Sequence, residues 1–166
     1  MKLVEELRKS GIVKKGRFIL TSGKTSDFYI DMKKVLGYPK ASELVCSELC
    51  KIINKKTTCI ASIGCGGLPL AARVSLKLGL PLVVVREKQR KRGLKNLIDG
   101  YVPGKNDRVA IVDDVFTMGT SMTKIIKALS KTKTKVIGGC VAVNREEVSK
   151  FIIPIKSLLI KKDLTF

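Results

Sequence analysis

Apolar residues follow two alternating rhythms along this chain. Cys59–Ile63, Leu82–Val85, residues 109–112, residues 136–143 and Ile155–Ile160 are short apolar runs rich in β-branched side chains. Such runs read as strands buried on both faces. Between them the spacing changes to three and four. Leu3, Val4 and Leu7 share a face in Lys2–Lys9, and Gly11 stops that helix. Ala41, Leu44, Val45, Leu49, Ile52 and Ile53 form a core-facing stripe over residues 39–53, and residues 122–129 are amphipathic in the same way. Strands alternating with helices predict an α/β domain, a mainly parallel central sheet flanked by helices. Residues 16–31 break the pattern. They are aromatic and basic and read as two short strands joined by a Ser-Gly-Lys turn, an antiparallel piece suited to a lid.

The chemistry gathers in residues 109–121. Two carboxylates, Asp113 and Asp114, sit where the strand is expected to end. Val115 and Phe116 follow, then a loop of Thr117, Met118, Gly119, Thr120 and Ser121, then the helix. Carboxyl ends of strands in open α/β sheets bind ligands, and a helix N-terminus attracts anions. Gly119 lets the backbone approach closely, and three hydroxyls can donate to phosphate oxygens. The loop lacks the lysine of a Walker pattern, so a phosphate here would rest on amides, hydroxyls and the helix dipole. An acid pair beside such a cradle suits sugar hydroxyls, a magnesium ion or a cation developing during reaction. The plainer alternative is a strand–turn–helix whose carboxylates cap the helix.

Two more segments carry possible anion chemistry. Gly64, Cys65, Gly66 and Gly67 join the 59–63 strand to a helix with Pro69 expected in its first turn. This repeats the strand–glycine–helix logic, although a tight turn explains it as well. After Val85 come Arg86, Glu87, Lys88, Arg90, Lys91, Arg92 and Lys95. Dense cations without apolar periodicity predict an exposed, mobile loop.

Composition narrows the classes. The 166 residues are enough for one domain with a substantial core. Lys and Arg number 33 against 14 acids, a net +19 that attracts polyanions, whether phosphorylated metabolites, nucleic acid or anionic membranes. Aromatics are only 5% and Trp is absent, which leaves little for stacking on bases. No apolar run is long enough to span a membrane, and the N-terminus is an amphipathic helix pattern rather than a signal peptide. Five cysteines without a C-x-x-C pair, in a chain with no His, fit reduced cytoplasmic thiols better than a zinc site. The lack of His also removes the commonest acid/base at neutral pH.

Residues 109–121 resemble the 5-phosphoribosyl 1-diphosphate (PRPP) motif of type I phosphoribosyltransferases: four hydrophobics, two acids, two hydrophobics and a Thr/Gly/Ser-rich loop. Residues 18–31, FILTSGKTSDFYID, are similar to the N-terminal hood of the orotate branch of that family. The resemblance covers nearly the whole chain. It implies the type I phosphoribosyltransferase fold as a single domain over 1–166, with a small hood over 1–38 and the α/β core over 39–166. It implies a cytoplasmic enzyme that transfers the phosphoribosyl group from PRPP to orotate, giving orotidine 5′-monophosphate and pyrophosphate.

The resemblance also implies roles. Asp113 and Asp114 would hold the ribose hydroxyls, and residues Val115 to Ser121 the 5′-phosphate end of PRPP. Gly64, Cys65, Gly66 and Gly67 would form the pyrophosphate loop. Arg86, Lys88, Arg90 and Arg92 would belong to a catalytic loop, 86–96, that closes over pyrophosphate and reaches the neighbouring subunit of a homodimer. Lys24, Tyr29, Ile30, Thr117 and Arg145 would surround orotate, with the Arg145 guanidinium forking onto an acidic edge. Mg²⁺ would be held mainly through PRPP, with no direct protein ligand. This chain departs from the family's common pattern at Thr21, Gly66, Glu87 and Arg92. Two alternatives share the fold: a phosphoribosyltransferase for another base, and a PRPP-sensing regulator that binds nucleic acid. The resemblance gives no reason to expect nucleic acid as a specific partner, or a membrane.

Overall fold

A computed structural model describes residues 2–19, 25–88, 96–145 and 151–164. In chain order the elements are α1 (Lys2–Lys9), β1 (Val13–Ile19), β2 (Thr25–Ile30), α2 (Pro39–Ile52), β3 (Cys59–Ile63), α3 (Gly64–Leu78) and β4 (Leu82–Val85). They continue with β5 (Ile98–Gly100), β6 (Arg108–Phe116), α4 (Thr120–Leu129), β7 (Lys135–Asn144), β8 (Ile155–Ile160) and the single turn α5 (Lys161–Leu164). A 3₁₀ segment, Met32–Gly37, links the hairpin to α2.

The sheet runs β5-β4-β3-β6-β7-β8 and is parallel except for β5, which pairs antiparallel with β4. The fold expected from the sequence is therefore present. Strand alternation divides the core into two layers. Ile60, Ala110, Val112, Cys140 and Ala142 pack with Leu7 of α1, Val45 and Leu49 of α2, and Leu70 and Val74 of α3. Their neighbours Ala61, Ile63, Val109, Ile111 and Val141 face the other way, onto Met122, Ile125 and Leu129 of α4. A side-chain period of two makes one apolar strand serve both layers.

The path of the chain decides where a ligand fits. From β3 it moves outward to β4 and β5, then returns to the other side of β3 as β6. Loops leaving β3 and β6 thus diverge at a topological switch point, which opens a crevice at the carboxyl edge. The antiparallel pair β1–β2 lies outside this sheet, with Val13 opposite Ile30 and Ile19 opposite Thr25.

Two expectations need correction, and one strand lies outside them. β6 does not end before the acids but runs through them to Phe116, because Val115 and Phe116 still pair with Val143 and Asn144 of β7. The glycines after β3 are the first turn of α3 rather than a preceding loop, which puts Pro69 inside the helix. Residues 98–100, which follow the 86–96 loop and to which the sequence pattern assigns no element, form the edge strand β5.

Candidate active site

Asp113 and Asp114 are successive residues of β6, so their side chains leave opposite faces of the strand. Asp113 is buried, and Asp114 is partly exposed. Each carboxylate is oriented by the next amide: Asp114 N–H donates to Asp113 Oδ1 at 2.9 Å, and Val115 N–H to Asp114 Oδ1 at 2.9 Å. Burial, then the neighbouring Asp114 charge, push the Asp113 carboxyl well above the usual carboxylate range; Ser121 hydrogen-bonding and the Asp114 amide oppose this. A buried acid held near its protonated form in a crevice is a mark of a working site.

Beyond the acids lies a cavity of about 250 Å³ lined by Asp113, Val115, Phe116, Thr117, Gly119, Thr120, Ser121 and Met122. Gly119 adopts φ 74°, ψ 19°, the left-handed region, and caps α4 without a side-chain hydrogen bond. The first amides of α4 are therefore not taken up by a capping side chain, and their residues line this cavity, where an anion would meet free N–H groups. A methyl group at Gly119 would overlap the Phe151 ring, and Phe151 packs edge-on against Phe116 with centroids 5.4 Å apart. Met118 points outward, 67% exposed.

The amino end of α3, the second candidate for an anion, approaches the acid pair from the other side of the switch point. A methyl group at Gly66 would overlap the Asp114 carboxylate, and one at Gly67 would overlap the carboxylate of Asp113 beside the Ser62 hydroxyl. The glycines let the amino end of α3 close on the acid pair. Cys65, between Gly64 and Gly66, is exposed. Glu87 also approaches, its Oε1 3.1 Å from where a Gly64 side chain would begin. Arg86 is held through its guanidinium by Asp99 of β5 and through its amide by Leu97 O at 2.8 Å. Lys88 is exposed. Arg90 and Arg92 lie outside the described residues, as do Lys24 and Thr21.

Of the residues expected around a base, Thr117 borders the phosphate cavity and Arg145 follows β7. Arg145 Cζ stands 5.7 Å from the Phe28 ring centroid. Tyr29 is half-buried against Phe18, with centroids 5.6 Å apart. Ile30 is 3% exposed and belongs to the core cluster. Sequence reasoning missed Phe28, Ser62, Asp99 and Phe151. Phe28 sits inside the recognisable hood segment, and its apolar character beside Tyr29 was the available signal. Nothing local marks the other three, because their roles come from strand pairing and long-range packing.

Among the described residues no three His, Cys, Asp or Glu side chains converge as a metal cage. The acid pair and its amide-fixed carboxylates fit Mg²⁺ differently. That ion keeps several waters and takes substrate phosphates with few protein oxygens. Two carboxylates in one crevice are chemically able to serve such an ion alongside substrate phosphate oxygens.

The model of the phosphoribosyl transferase domain matches residues 40–153. The orotate phosphoribosyltransferase of Pyrococcus abyssi is 39% identical over 150 residues, covering 87% of this chain and 81% of its own. That of Thermoplasma volcanium is 39% identical over 145 residues, covering 87% and 85%. The crystal structure of orotate phosphoribosyltransferase from Aeropyrum pernix superposes with a TM-score of 0.81 at 32% identity, covering 98% of this chain and 95% of that one. An acid pair between two helix N-termini at the switch point, in a chain this similar to those proteins, has one family meaning: the chain belongs to the orotate phosphoribosyltransferases.

Proposed function

We propose that this protein transfers the 5-phosphoribosyl group from PRPP to orotate, releasing pyrophosphate. The observation that carries the reading is the placement of Asp113 and Asp114 between the α4 phosphate cavity and the glycine turn of α3. PRPP has the same order: a 5′-phosphate, a ribose with two hydroxyls, and a diphosphate on the anomeric carbon.

In the reaction the bond from the anomeric carbon to the diphosphate oxygen breaks, and a bond to a ring nitrogen of the base forms. The 5′-phosphate is anchored by Thr117, Gly119, Thr120, Ser121 and the first amides of α4. Asp113 and Asp114 accept hydrogen bonds from the ribose hydroxyls, and the partly exposed Asp114 carboxylate favours the positive charge that spreads over the ring as the leaving group departs. Gly64, Cys65, Gly66 and Gly67 present α3 amides to the diphosphate, assisted by Arg86, Lys88, Arg90 and Arg92. This is electrostatic preorganisation, and closure of the 86–96 loop adds exclusion of water. Held mainly through PRPP beside Asp113 and Asp114, Mg²⁺ would supply charge neutralisation on the diphosphate. Orotate supplies its own acidic ring nitrogen, so no histidine is needed. Arg145 meets the acidic edge of the base, with Lys24, Tyr29 and Ile30 on the hood side.

The protein works in the cytoplasm as a homodimer whose 86–96 loop serves the neighbouring site. A base panel tests the reading: pyrophosphate release from PRPP should require orotate and fall by about 10²-fold or more with uracil or adenine. Equal release with another base would move the assignment to that base. Release with none, alongside retained PRPP binding, would favour a sensor.

A further inference from the structure

Arg86 is proposed to assist at the diphosphate, yet its guanidinium is turned the other way. Val85 of β4 pairs with Ile63 of β3, so the next residues, Arg86 and Gly64, leave the carboxyl edge of the sheet side by side. Gly64 opens the first turn of α3. On its other side β4 pairs with β5, and there Asp99 stands opposite Val84. Arg86 and Asp99 are thus diagonal neighbours on one face of the pair, within reach of a long side chain, and they form an ion pair. Asp99 is set back from Arg86 by two residues, roughly 7 Å at the rise of a strand. It is also one strand farther from β3 and β6, which lead to the glycine turn and carry the acid pair. Both displacements draw the guanidinium away from the crevice.

Two observations mark this as a holding arrangement rather than a working one. Arg86 Nε is buried and has no hydrogen-bond partner among the described residues. A buried donor without an acceptor is unfavourable, so the pair with Asp99 leaves the guanidinium incompletely satisfied. The side chain that does approach the α3 turn is that of Glu87, whose Oε1 is 3.1 Å from the Cβ position of Gly64. An acid therefore lies at the turn while the neighbouring cation is held back. The pair is also easily parted. Its side chains are 26% and 41% exposed, and ion pairs open to water contribute little stability. A diphosphate offers several charged oxygens, to which a guanidinium can make two parallel hydrogen bonds at once.

We infer that Asp99 is a positioning residue for PRPP binding: it holds Arg86 away from the α3 turn, and the guanidinium exchanges the Asp99 carboxylate for the diphosphate when PRPP binds. The inference rests on the diphosphate site proposed above. Asp99 touches no substrate and acts only through Arg86. The exchange leaves its carboxylate to water and gives Arg86 Nε an acceptor. It also weakens the apparent affinity for PRPP, because the fraction of protein with Arg86 free to bind is reduced by the pair.

The test is calorimetric titration of PRPP with Mg²⁺ into the full chain and into Asp99→Asn, Asp99→Glu, Arg86→Gln and the double variant Asp99→Asn/Arg86→Gln. Glu48→Gln, which removes the same charge from an ion pair within α2, is the control. The dissociation constant for PRPP should fall about threefold in Asp99→Asn, the scale of an exposed ion pair. Asp99→Glu keeps the counter-ion and should stay near wild type, as should Glu48→Gln. In the Arg86→Gln background Asp99→Asn should have no effect, because Asp99 then has no cation to hold. A carboxylate that only supports the sheet edge would not show that dependence on Arg86. An unchanged or raised dissociation constant in Asp99→Asn would overturn the inference, a rise meaning that Asp99 holds Arg86 in its working place. So would a threefold fall that persists with Arg86→Gln, which would make Asp99 a general repulsive charge. Failure of the unmodified chain to bind PRPP is visible before any variant is compared; it overturns the diphosphate site and this inference with it.

Discussion

The Asp113 carboxylate lies against Gly67 so closely that a methyl group on Gly67 would occupy the same space, with the Ser62 hydroxyl and the Asp113 backbone beside it. The buried acid and the turn proposed for pyrophosphate are thus one packed unit. Gly67→Ala cannot be absorbed by a side-chain swing, since the backbone at Asp113 is also in the way. It should destabilise the protein by about 1–3 kcal/mol, as overpacking does, and should abolish turnover. Gly66→Ala meets the partly exposed Asp114 side chain instead. It should leave the denaturation midpoint nearly unchanged while still removing activity. Equal stability loss in both variants would contradict this account.

Asp113 should trade stability for function. Its raised pKa means that the folded chain holds a proton the unfolded chain gives up at about pH 4. Folding stability therefore falls as pH rises above that value, until the folded group has itself ionised. Asp113→Asn removes this penalty. Denaturant unfolding should show the variant more stable than wild type by at least about 1 kcal/mol at pH 8, with a smaller gain at pH 5. Transfer activity should be lost. A variant equally or less stable at pH 8 would show that the burial penalty is offset elsewhere.

Glu87 brings a carboxylate to the first glycine of α3, where the diphosphate is proposed to bind. Like charge at that point weakens binding. Glu87→Gln should lower the PRPP KM by roughly threefold, the scale of a partly screened charge near the surface. An unchanged or raised KM would indicate that Glu87 turns away when PRPP arrives.

Thiol chemistry offers a view of the same turn. Burial pushes the thiols of Cys46, Cys59 and Cys140 up to about 11, whereas Cys65 is exposed in the first turn of α3. Thiolates are the reactive form, so a maleimide should label Cys65 first. PRPP should protect it, and orotate alone should not. Labelling that ignores PRPP would place the diphosphate elsewhere.

Much of this was legible in the sequence because the informative residues are close together. The run from Val109 to Ser121 carries a buried strand, both acids and the phosphate cavity in thirteen positions. Continuous apolar runs gave the parallel strands, since both faces of the sheet are covered. What escaped depends on distant pairing. The strand through Asp113 and Asp114 continues because β7 offers partners as far as Asn144. β5 exists because residues 98–100 find the edge of β4. Asp99 holds Arg86, and Phe28 gathers Arg145 and Lys161, only after those strands are in place.

The +19 charge leads to a prediction about nucleic acid. Lys124 and Lys127 are exposed on α4 and Lys131 is exposed just beyond its end, while Lys51 pairs with Glu48 and Lys77 with Glu43 on the outside of α2 and α3. Cations spread in this way should bind duplex DNA weakly, with loss at modest salt and no effect of PRPP. Tight, PRPP-dependent binding to one sequence would contradict that and support a regulator.

The most direct test of the central claim follows orotate by its ultraviolet absorbance in the presence of PRPP and Mg²⁺, with wild type beside Asp114→Asn. Asp114 is partly exposed, so the variant should fold normally. The account predicts orotate consumption by wild type and a loss of about 10²-fold or more in the variant, as for removal of a group that stabilises transition-state charge. Consumption by wild type at a rate unchanged in Asp114→Asn would contradict the role given to the acid pair, and no consumption by wild type would contradict the proposed reaction itself.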